Sequence, residues 1–215
     1  MGVTLEHDGA SVVLLGSFNP AIFQPAWIGA QGLIRPEEAK NAEIRTIQPE
    51  IADFATEWFQ LQVLQNRLQI VSADPRHYSA LRDLCSGLFA ILPHTPISKI
   101  GLNRNFHYSM QSQDTWHALG HRLAPKQHWN NHLRDPGLRS MVMEGRRKDI
   151  DAGLVKIKVE PSTTMKPGIL VEINVEFSSP AEIHEAQWVR ACLDENWNPV
   201  MDFAETTALD IVRLV

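Results

Sequence analysis

The chain has 215 residues, of which 44% are hydrophobic and 21% are charged, and its net charge is −5. This composition is typical of a water-soluble protein, and the length is sufficient to bury a complete hydrophobic core. No apolar run reaches the roughly 18 residues of a membrane span. The N-terminal run MGVTLEHDGASVVLLG lacks the basic region of a secretory signal. Cys85 and Cys192 lie in apolar helical patterns, which favours reduced thiols. We therefore expect a cytoplasmic protein that does not contact a membrane.

Short apolar runs predict four strands in the first third of the chain. They are SVVLLGSF (11–18), EIRTIQ (43–48), FATEWFQLQVL (54–64) and RLQIVS (67–72). Gln65-Asn66 is predicted to form a tight turn that joins the last two of these strands. Trp58 and Phe59 alternate in their run, so a continuous strand would carry a large aromatic side chain on each of its faces.

A helix and a long strand are predicted in the middle of the chain. Asp74 is a suitable N-cap, Pro75 suits the first turn, and apolar residues then recur at spacings of three and four until Pro93 ends the helix. The run that follows, ISKIGLNRNFHYSM, alternates apolar and polar side chains. Arg104 falls on the apolar face of this strand, so it either lies at an exposed end or pairs with a buried carboxylate.

The C-terminal part of the chain predicts three more strands and a helical region. The strands are LRSMVMEG (138–145), VKIKVE (155–160) and GILVEINVEF (168–177). The helical region follows Ser179-Pro180, and Asn196–Pro199 is predicted to break it in two. Consecutive strands with helices between and after them predict an α+β fold. We expect one domain over residues 1–215, with a mostly antiparallel or mixed sheet, helices packed on one face and a C-terminal helical region.

Histidines are concentrated in WHALGHRLAPKQHWNNH, which contains two H-x-x-x-H pairs. Side chains four residues apart share a helix face, so His117 and His121 could bind one metal ion. His128 and His132 could do the same from a second helix that follows Pro125. The segment lacks the glutamate of an H-E-x-x-H motif, and its apolar residues are spaced to leave the histidines at the margin of a buried face. We therefore expect structural or solvated imidazoles, with no bound metal and no other cofactor.

Positive charge is concentrated between residues 122 and 158. This segment has nine lysine and arginine residues against four acidic residues, a net charge of +5, so the rest of the chain carries −10. Arg139, Arg146, Arg147 and Lys148 are the candidate anion-binding residues. Ordinary surface charge explains the excess more simply. The chain as a whole lacks the basic excess that is typical of duplex-binding domains.

Aromatic residues suggest candidates for a protein interface. The six tryptophans, a high number for this length, lie at positions 27, 58, 116, 129, 188 and 197. Core packing accounts for most such residues, but Trp, Tyr and Arg also contribute most of the binding energy at interfaces. Trp58, Phe59, Trp129 and Arg104 are the candidate interface residues. No G-x-S-x-G or C-x-x-C motif is present, and no catalytic residue is assigned.

The run ILPHTP followed by ISKIGLNRNFHY, within residues 91–108, resembles a sporadically distributed, uncharacterised family of bacterial proteins. In that family a helix leads into a strand of the type I-x-x-I-G-L-R-Y. Ile97, Ile100, Gly101 and Leu102 match this pattern, whereas Asn103-Arg104 departs from it. The resemblance implies a bacterial accessory protein. Its patchy distribution is typical of genes on mobile elements or in phage-defence loci.

Three functions are consistent with these features. The first is a non-catalytic binding or assembly subunit of a bacterial multi-protein system, which acts through an exposed strand edge and aromatic anchors. Its partner would be a second copy, as a homodimer, or a neighbouring effector protein. The second is a metal-dependent hydrolase or nuclease that uses the histidines between His107 and His132. The third is an accessory protein that binds nucleic acid through residues 122–158. We favour the binding subunit over an enzyme.

Overall fold

The computed structural model describes residues 3–148, 153–180 and 185–215. Within these residues the chain forms nine β-strands and five α-helices. The strands are β1 (Val3–Gly16), β2 (Glu43–Gln48), β3 (Ile51–Ala55), β4 (Gln60–Leu64), β5 (Arg67–Ser72), β6 (Ile97–Met110), β7 (Met141–Arg146), β8 (Leu154–Pro161) and β9 (Gly168–Ser178). The helices are α1 (Pro25–Ala30), α2 (Pro36–Asn41), α3 (Tyr78–Ile91), α4 (Gln113–Leu123) and α5 (Gln187–Val212).

All nine strands belong to one antiparallel sheet in the order β2-β3-β4-β5-β1-β6-β9-β8-β7. The two longest strands, β1 and β6, pair at its centre from Val3↔Met110 to Gly16↔Ile97. Helices α3 and α5 pack against each other and against the central strands. This architecture confirms the predicted α+β fold with an antiparallel sheet and a C-terminal helix. Over the same described ranges, no helix combines the length and the apolar character needed to cross a membrane.

The two faces of the sheet differ in chemistry. Alternate residues of β6, including Leu102 and Phe106, are fully buried on the helix-covered face. The opposite, open face carries amide side chains, where Asn174 Nδ2 donates to Asn103 Oδ1 at 2.6 Å. Residues from β5, β1, β6, β9, β8 and β7 line one cavity of about 330 Å³ on this face.

Arg104 is buried at the centre of the sheet and pairs with a carboxylate, which resolves the two predicted alternatives. Its Nη2 donates to both carboxylate oxygens of Asp8 on β1, at 2.8 and 2.6 Å. The guanidinium carbon lies 4.8 Å from the ring centroid of Tyr78 and 4.6 Å from that of Phe106. Planar guanidinium groups stack on aromatic rings in this way. The ion pair therefore belongs to the core.

The predicted continuous strand over residues 54–64 is wrong. Strand β3 ends at Ala55 and β4 begins at Gln60, and the two pair as a hairpin. Thr56 closes the connection because its N–H donates to Phe59 O at 2.8 Å, and Phe59 N donates to Thr56 Oγ1 at 3.3 Å. Trp58 and Phe59 therefore lie in a loop and do not mark two covered faces of a strand.

The predicted break of the C-terminal helix at Asn196–Pro199 is also wrong. Helix α5 continues for 26 residues with Pro199 inside it. Proline usually disrupts a helix interior because it lacks an N–H group. Here Leu193 and Trp197 before the proline and Met201 after it are all buried against the sheet and α3. This burial on both sides stabilises the continuous helix. Other predictions are confirmed, notably the limits of β2 and the turn at Gln65-Asn66.

Candidate protein interface at the β7 edge

Strand β7 forms one edge of the sheet and pairs only with β8 within the described residues, from Met141↔Val159 to Arg146↔Leu154. Five of its six residues are exposed. An edge strand presents backbone N–H and C=O groups on its outer side, which another strand can use. Natural edges are commonly protected by bulges, but the pairing of β7 with β8 has no register shift. Within the described residues, β7 is therefore a regular edge strand that pairs on one side only.

Two large apolar side chains are exposed on β7. Val142 is 56% exposed and Met143 is 59% exposed. They point to opposite sides of the sheet because successive residues of a strand alternate. Met143 pairs with Ile157, which in turn pairs with buried Ile173, so Met143 lies on the helix-covered face. An added strand would therefore find an apolar contact on each face.

The segment that leads into β7 adds further exposed apolar surface. Trp129 is 53% exposed and Leu133 is 54% exposed. Of the ten exposed large hydrophobic side chains among the described residues, four lie between Trp129 and Met143. Single exposed hydrophobic residues are normal, whereas a concentration of them is typical of interaction sites. Trp129, predicted as an interface residue, thus lies in the same part of the chain as β7.

The charges near β7 are only partly available to a ligand. Arg139, Arg146 and Lys148 are exposed, as expected for candidate anion-binding residues. Arg147 points into the molecule and is 8% exposed. Its Nη1 donates to Pro199 O at 3.1 Å, and its guanidinium lies 4.7 Å from the ring centroid of Phe203. The prediction of Arg147 as part of an exposed basic face is therefore wrong, because this side chain packs on α5.

The other predicted interface residues lie away from β7. Phe59 and Arg104 are buried within the chain, so neither side chain reaches the surface. Trp58 is half-buried and stacks on His77, with a centroid distance of 5.5 Å. It lines a cleft of about 690 Å³ together with Arg35, Glu38 and Glu57. Of these three candidates, only Trp58 could contact a partner in the present fold.

His117 and His121 share one face of α4. Ser112 caps this helix by accepting the N–H of Thr115 at 3.1 Å, and Trp116 Nε1 donates to Gly168 O at 2.9 Å. The two histidines are exposed and line a cavity of about 150 Å³ between α4 and β8. The shared face was predicted from their spacing, and the structure confirms it.

The second histidine pair does not lie on a helix, so that prediction is wrong. After Pro125 the chain forms one short 3-10 turn, Lys126–His128, and then bends. Asn130 and Asn131 follow, and asparagine favours turns over helices because its side chain competes for backbone hydrogen bonds. His128 and His132 are both exposed. No three His, Cys, Asp or Glu side chains in the described ranges are grouped closely enough to hold a metal ion.

His107 lies on β6 and has partners of its own. Its Nδ1 is 2.9 Å from Ser162 Oγ and 3.3 Å from Thr164 Oγ1. Burial lowers the pKa of His107, and the neighbouring His7 lowers it further. Ser162 is buried and also accepts the N–H of Thr164 at 3.2 Å, as in a serine turn. These contacts fix the loop between β8 and β9.

Comparison of the sequence with protein-family models gives no match, and comparison with curated proteins gives none either. The candidate interface therefore rests on the geometry of this chain. Sequence reasoning did not single out Val142 and Met143, although the run Met141–Met143 has three apolar residues in succession. Their exposure depends on the position of β7 at the end of the strand order, which is set by long-range pairing.

Proposed function

We propose that the chain is a non-catalytic assembly subunit of a multi-protein system and that it binds another polypeptide by strand addition at β7. The observation that supports this function is the regular, exposed edge with Val142 and Met143 on its two faces. In this mode of recognition, main-chain hydrogen bonds provide affinity and alternate side chains provide specificity.

The exposed side chains are large enough to contribute to such a contact. Complete burial of a side chain such as Val or Met stabilises by about 1.5–3 kcal/mol. A stable interface buries about 800 Å² on each partner, which is more than one short strand supplies. Trp129 and Leu133, in the segment before β7, provide additional apolar area. An interface formed by β7 and this segment is the arrangement that we propose.

The expected partners are a second copy of the chain or a neighbouring effector protein. The resemblance of residues 91–108 to a patchily distributed bacterial family supports an accessory role of the kind found in phage-defence loci. A reducing cytoplasm is consistent with the two thiols, because Cys85 and Cys192 are both buried and free. Burial raises the pKa of Cys192 to about 12, so this thiol is not poised for chemistry.

Sedimentation velocity of the purified protein tests the proposal. We expect the apparent mass to increase when the protein concentration is raised by about two orders of magnitude, since association follows mass action. A V142K/M143K double variant should stay monomeric because it replaces the apolar side chain on each face of β7 with a charged one that is costly to bury against a partner. Leu214→Lys is the matched control, because Leu214 is also exposed but lies after α5, outside the sheet.

Two results would count against the proposal. One is a wild-type protein that remains a monomer throughout the concentration range. The other is association that persists in V142K/M143K, whatever the Leu214→Lys control does. A monomeric wild type would exclude a second copy as the partner, and persistent association in V142K/M143K would mean that β7 is not the surface through which the chain assembles.

A further inference from the structure

We propose that the strand accepted by β7 is β2 of a second copy, so that copies associate head to tail. This inference rests on the proposed function and specifies its partner. Strand β2 forms the opposite edge of the same sheet. Its first three residues, Glu43, Ile44 and Arg45, are all exposed, so this part of the edge is open to a partner.

The segments of the sequence that contain the two edge strands carry opposite net charge, although β7 and β2 themselves are each neutral and one of the positive charges, Arg147, is buried. Residues 122–148, which lead into and include β7, contain seven lysine and arginine residues against two acidic residues, a net charge of +5. Residues 35–57, which surround β2, contain six acidic residues against three lysine and arginine residues, a net charge of −3. Surfaces of opposite sign attract and select each other. The uneven distribution of charge along the sequence thus distinguishes the segment that contains β7 from the segment that contains β2.

The two edges also carry matching apolar side chains. Ile44 is 57% exposed, nearly as much as Met143 at 59%. Ile44 pairs with Phe54, which is buried, so Ile44 lies on the helix-covered face of the sheet. Met143 lies on the same face. When β7 and β2 are brought together with the helices on one side, these two residues can therefore contact each other across the new strand pair.

The strand order fixes the direction of this contact. Eight antiparallel steps separate β2 from β7, so the two strands run in the same direction. A copy added without turning the sheet over therefore pairs its β2 in parallel with β7. When β7 of one copy binds β2 of the next, the first and last copies of the series keep one unpaired edge each. Further copies can bind there, so the contact generates a filament or, if the series closes, a ring. Species larger than a dimer are expected.

Pairing of like edges is disfavoured by the same features. Two β7 edges would bring two segments of net charge +5 together. Two β2 edges would bring two segments of net charge −3 together, and such a contact would contain the register shift between Ile44 and Thr46 twice, whereas the mixed contact contains it once. Only the contact of β7 with β2 joins segments of opposite charge. Charge repulsion therefore disfavours the β7–β7 and β2–β2 contacts, while charge attraction favours the mixed one.

Cross-linking of two variants that each carry one added cysteine tests the inference. Ile44→Cys and Met143→Cys proteins are mixed and treated with a short bifunctional maleimide, and the linked peptides are identified by mass spectrometry. Cys85 and Cys192 are buried, which keeps the native thiols out of the reaction. We expect links between the two variants to exceed self-links of either variant by about tenfold or more, as partner selection by charge complementarity predicts. Leu214→Cys, mixed with either variant, is the control and should give background yield.

The outcomes separate this inference from the proposed function. Predominant self-links of the Met143→Cys protein would overturn the head-to-tail arrangement and leave β7 as an interface between two like edges. Background yield in every mixture, with a monomer in sedimentation, would overturn the head-to-tail arrangement and exclude a second copy as the partner in the proposed function. Salt gives an independent readout because it screens surface charge. Added salt should weaken a contact of opposite edges, whereas stronger association in salt would show that two basic edges meet.

Discussion

In β6, at the centre of the sheet, every second side chain from Ile100 to Met110 is buried, whereas in β7, at the edge, five of six residues are exposed. Both strands contain the apolar residues expected of a sheet. The difference lies in their neighbours, because β6 is paired on both sides and covered by α5, while β7 is paired on one side only. The central strand buries its apolar side chains in the core, whereas the edge strand leaves Val142 and Met143 exposed.

The largest expected effect is at the centre, in the Asp8–Arg104 pair. Asp8→Ala should lower the free energy of unfolding by about 3–5 kcal/mol, because it leaves a buried guanidinium without its carboxylate. Chemical denaturation measures this change. The matched edge variant is Glu144→Ala, which removes an exposed ion pair with Lys156 at 3.4 Å and should cost less than about 1 kcal/mol. Equal losses in the two variants would contradict the contrast between centre and edge.

A similar contrast is expected for apolar side chains. Leu102 is fully buried on β6, and Leu102→Ala should cost about 2–5 kcal/mol through lost transfer free energy and a cavity. Met143→Ala at the edge should change the monomer by no more than about 0.5 kcal/mol. Chemical denaturation at low protein concentration measures both changes in the free energy of unfolding. A large loss for Met143→Ala under these conditions would show that Met143 supports the fold of the isolated chain.

The sequence was informative where local patterns agree with the tertiary structure. The alternation in β6 and the helical spacing in α3 predicted both elements. The odd position of Arg104 predicted either an exposed strand end or a buried carboxylate partner, and the structure shows the second. Asp8 was not recognised because residues 3–9 of β1 are mostly polar. Their strand conformation comes from pairing with the second half of β6. The residues of β6 that pair with this part of β1 lie about a hundred residues away in the sequence, so a local pattern could not reveal the pairing.

The candidate interface was less accessible to sequence analysis. Trp129 was identified because it is surrounded by polar residues, and it is exposed. Phe59 and Arg104 are buried. Trp58 lies in a hairpin connection because Thr56 closes a turn, and the sequence there has no strong turn motif from which this turn could be predicted. Edge positions depend on the order of all nine strands. The exposure of Val142 at an edge, which makes it a candidate interface residue, could therefore be recognised only from the structure.

A smaller effect on stability is expected from the titration of His107, on the central strand β6. Burial lowers the pKa of His107 in the folded protein below the value of 6.5 expected when it is unfolded. As the pH falls below about 6.5, the unfolded chain binds a proton before the folded chain does, so stability decreases until the folded pKa is reached. Denaturation of wild type and His107→Gln across this range measures the effect. An identical pH dependence in the two proteins would contradict it.

The smallest effect on stability is expected from charges at the β7 edge. V142K/M143K should leave the unfolding of the monomer within about 0.5 kcal/mol of wild type, because both side chains are exposed and make few contacts within the chain. Thermal unfolding at low concentration provides the measurement. A strong destabilisation would mean that the loss of association in this variant reflects a damaged fold.

Amide hydrogen exchange of β7 tests the central claim most directly, because it reports on the backbone groups that an added strand would bind. Wild type and V142K/M143K are compared at low and high concentration, with the amides of β6 as an internal reference. We predict that the amides of residues 141–146 become more protected as the wild-type concentration rises, and that those of the variant do not. If the β7 amides of the wild type exchange at one unchanged rate while β6 stays protected, β7 is not an assembly edge.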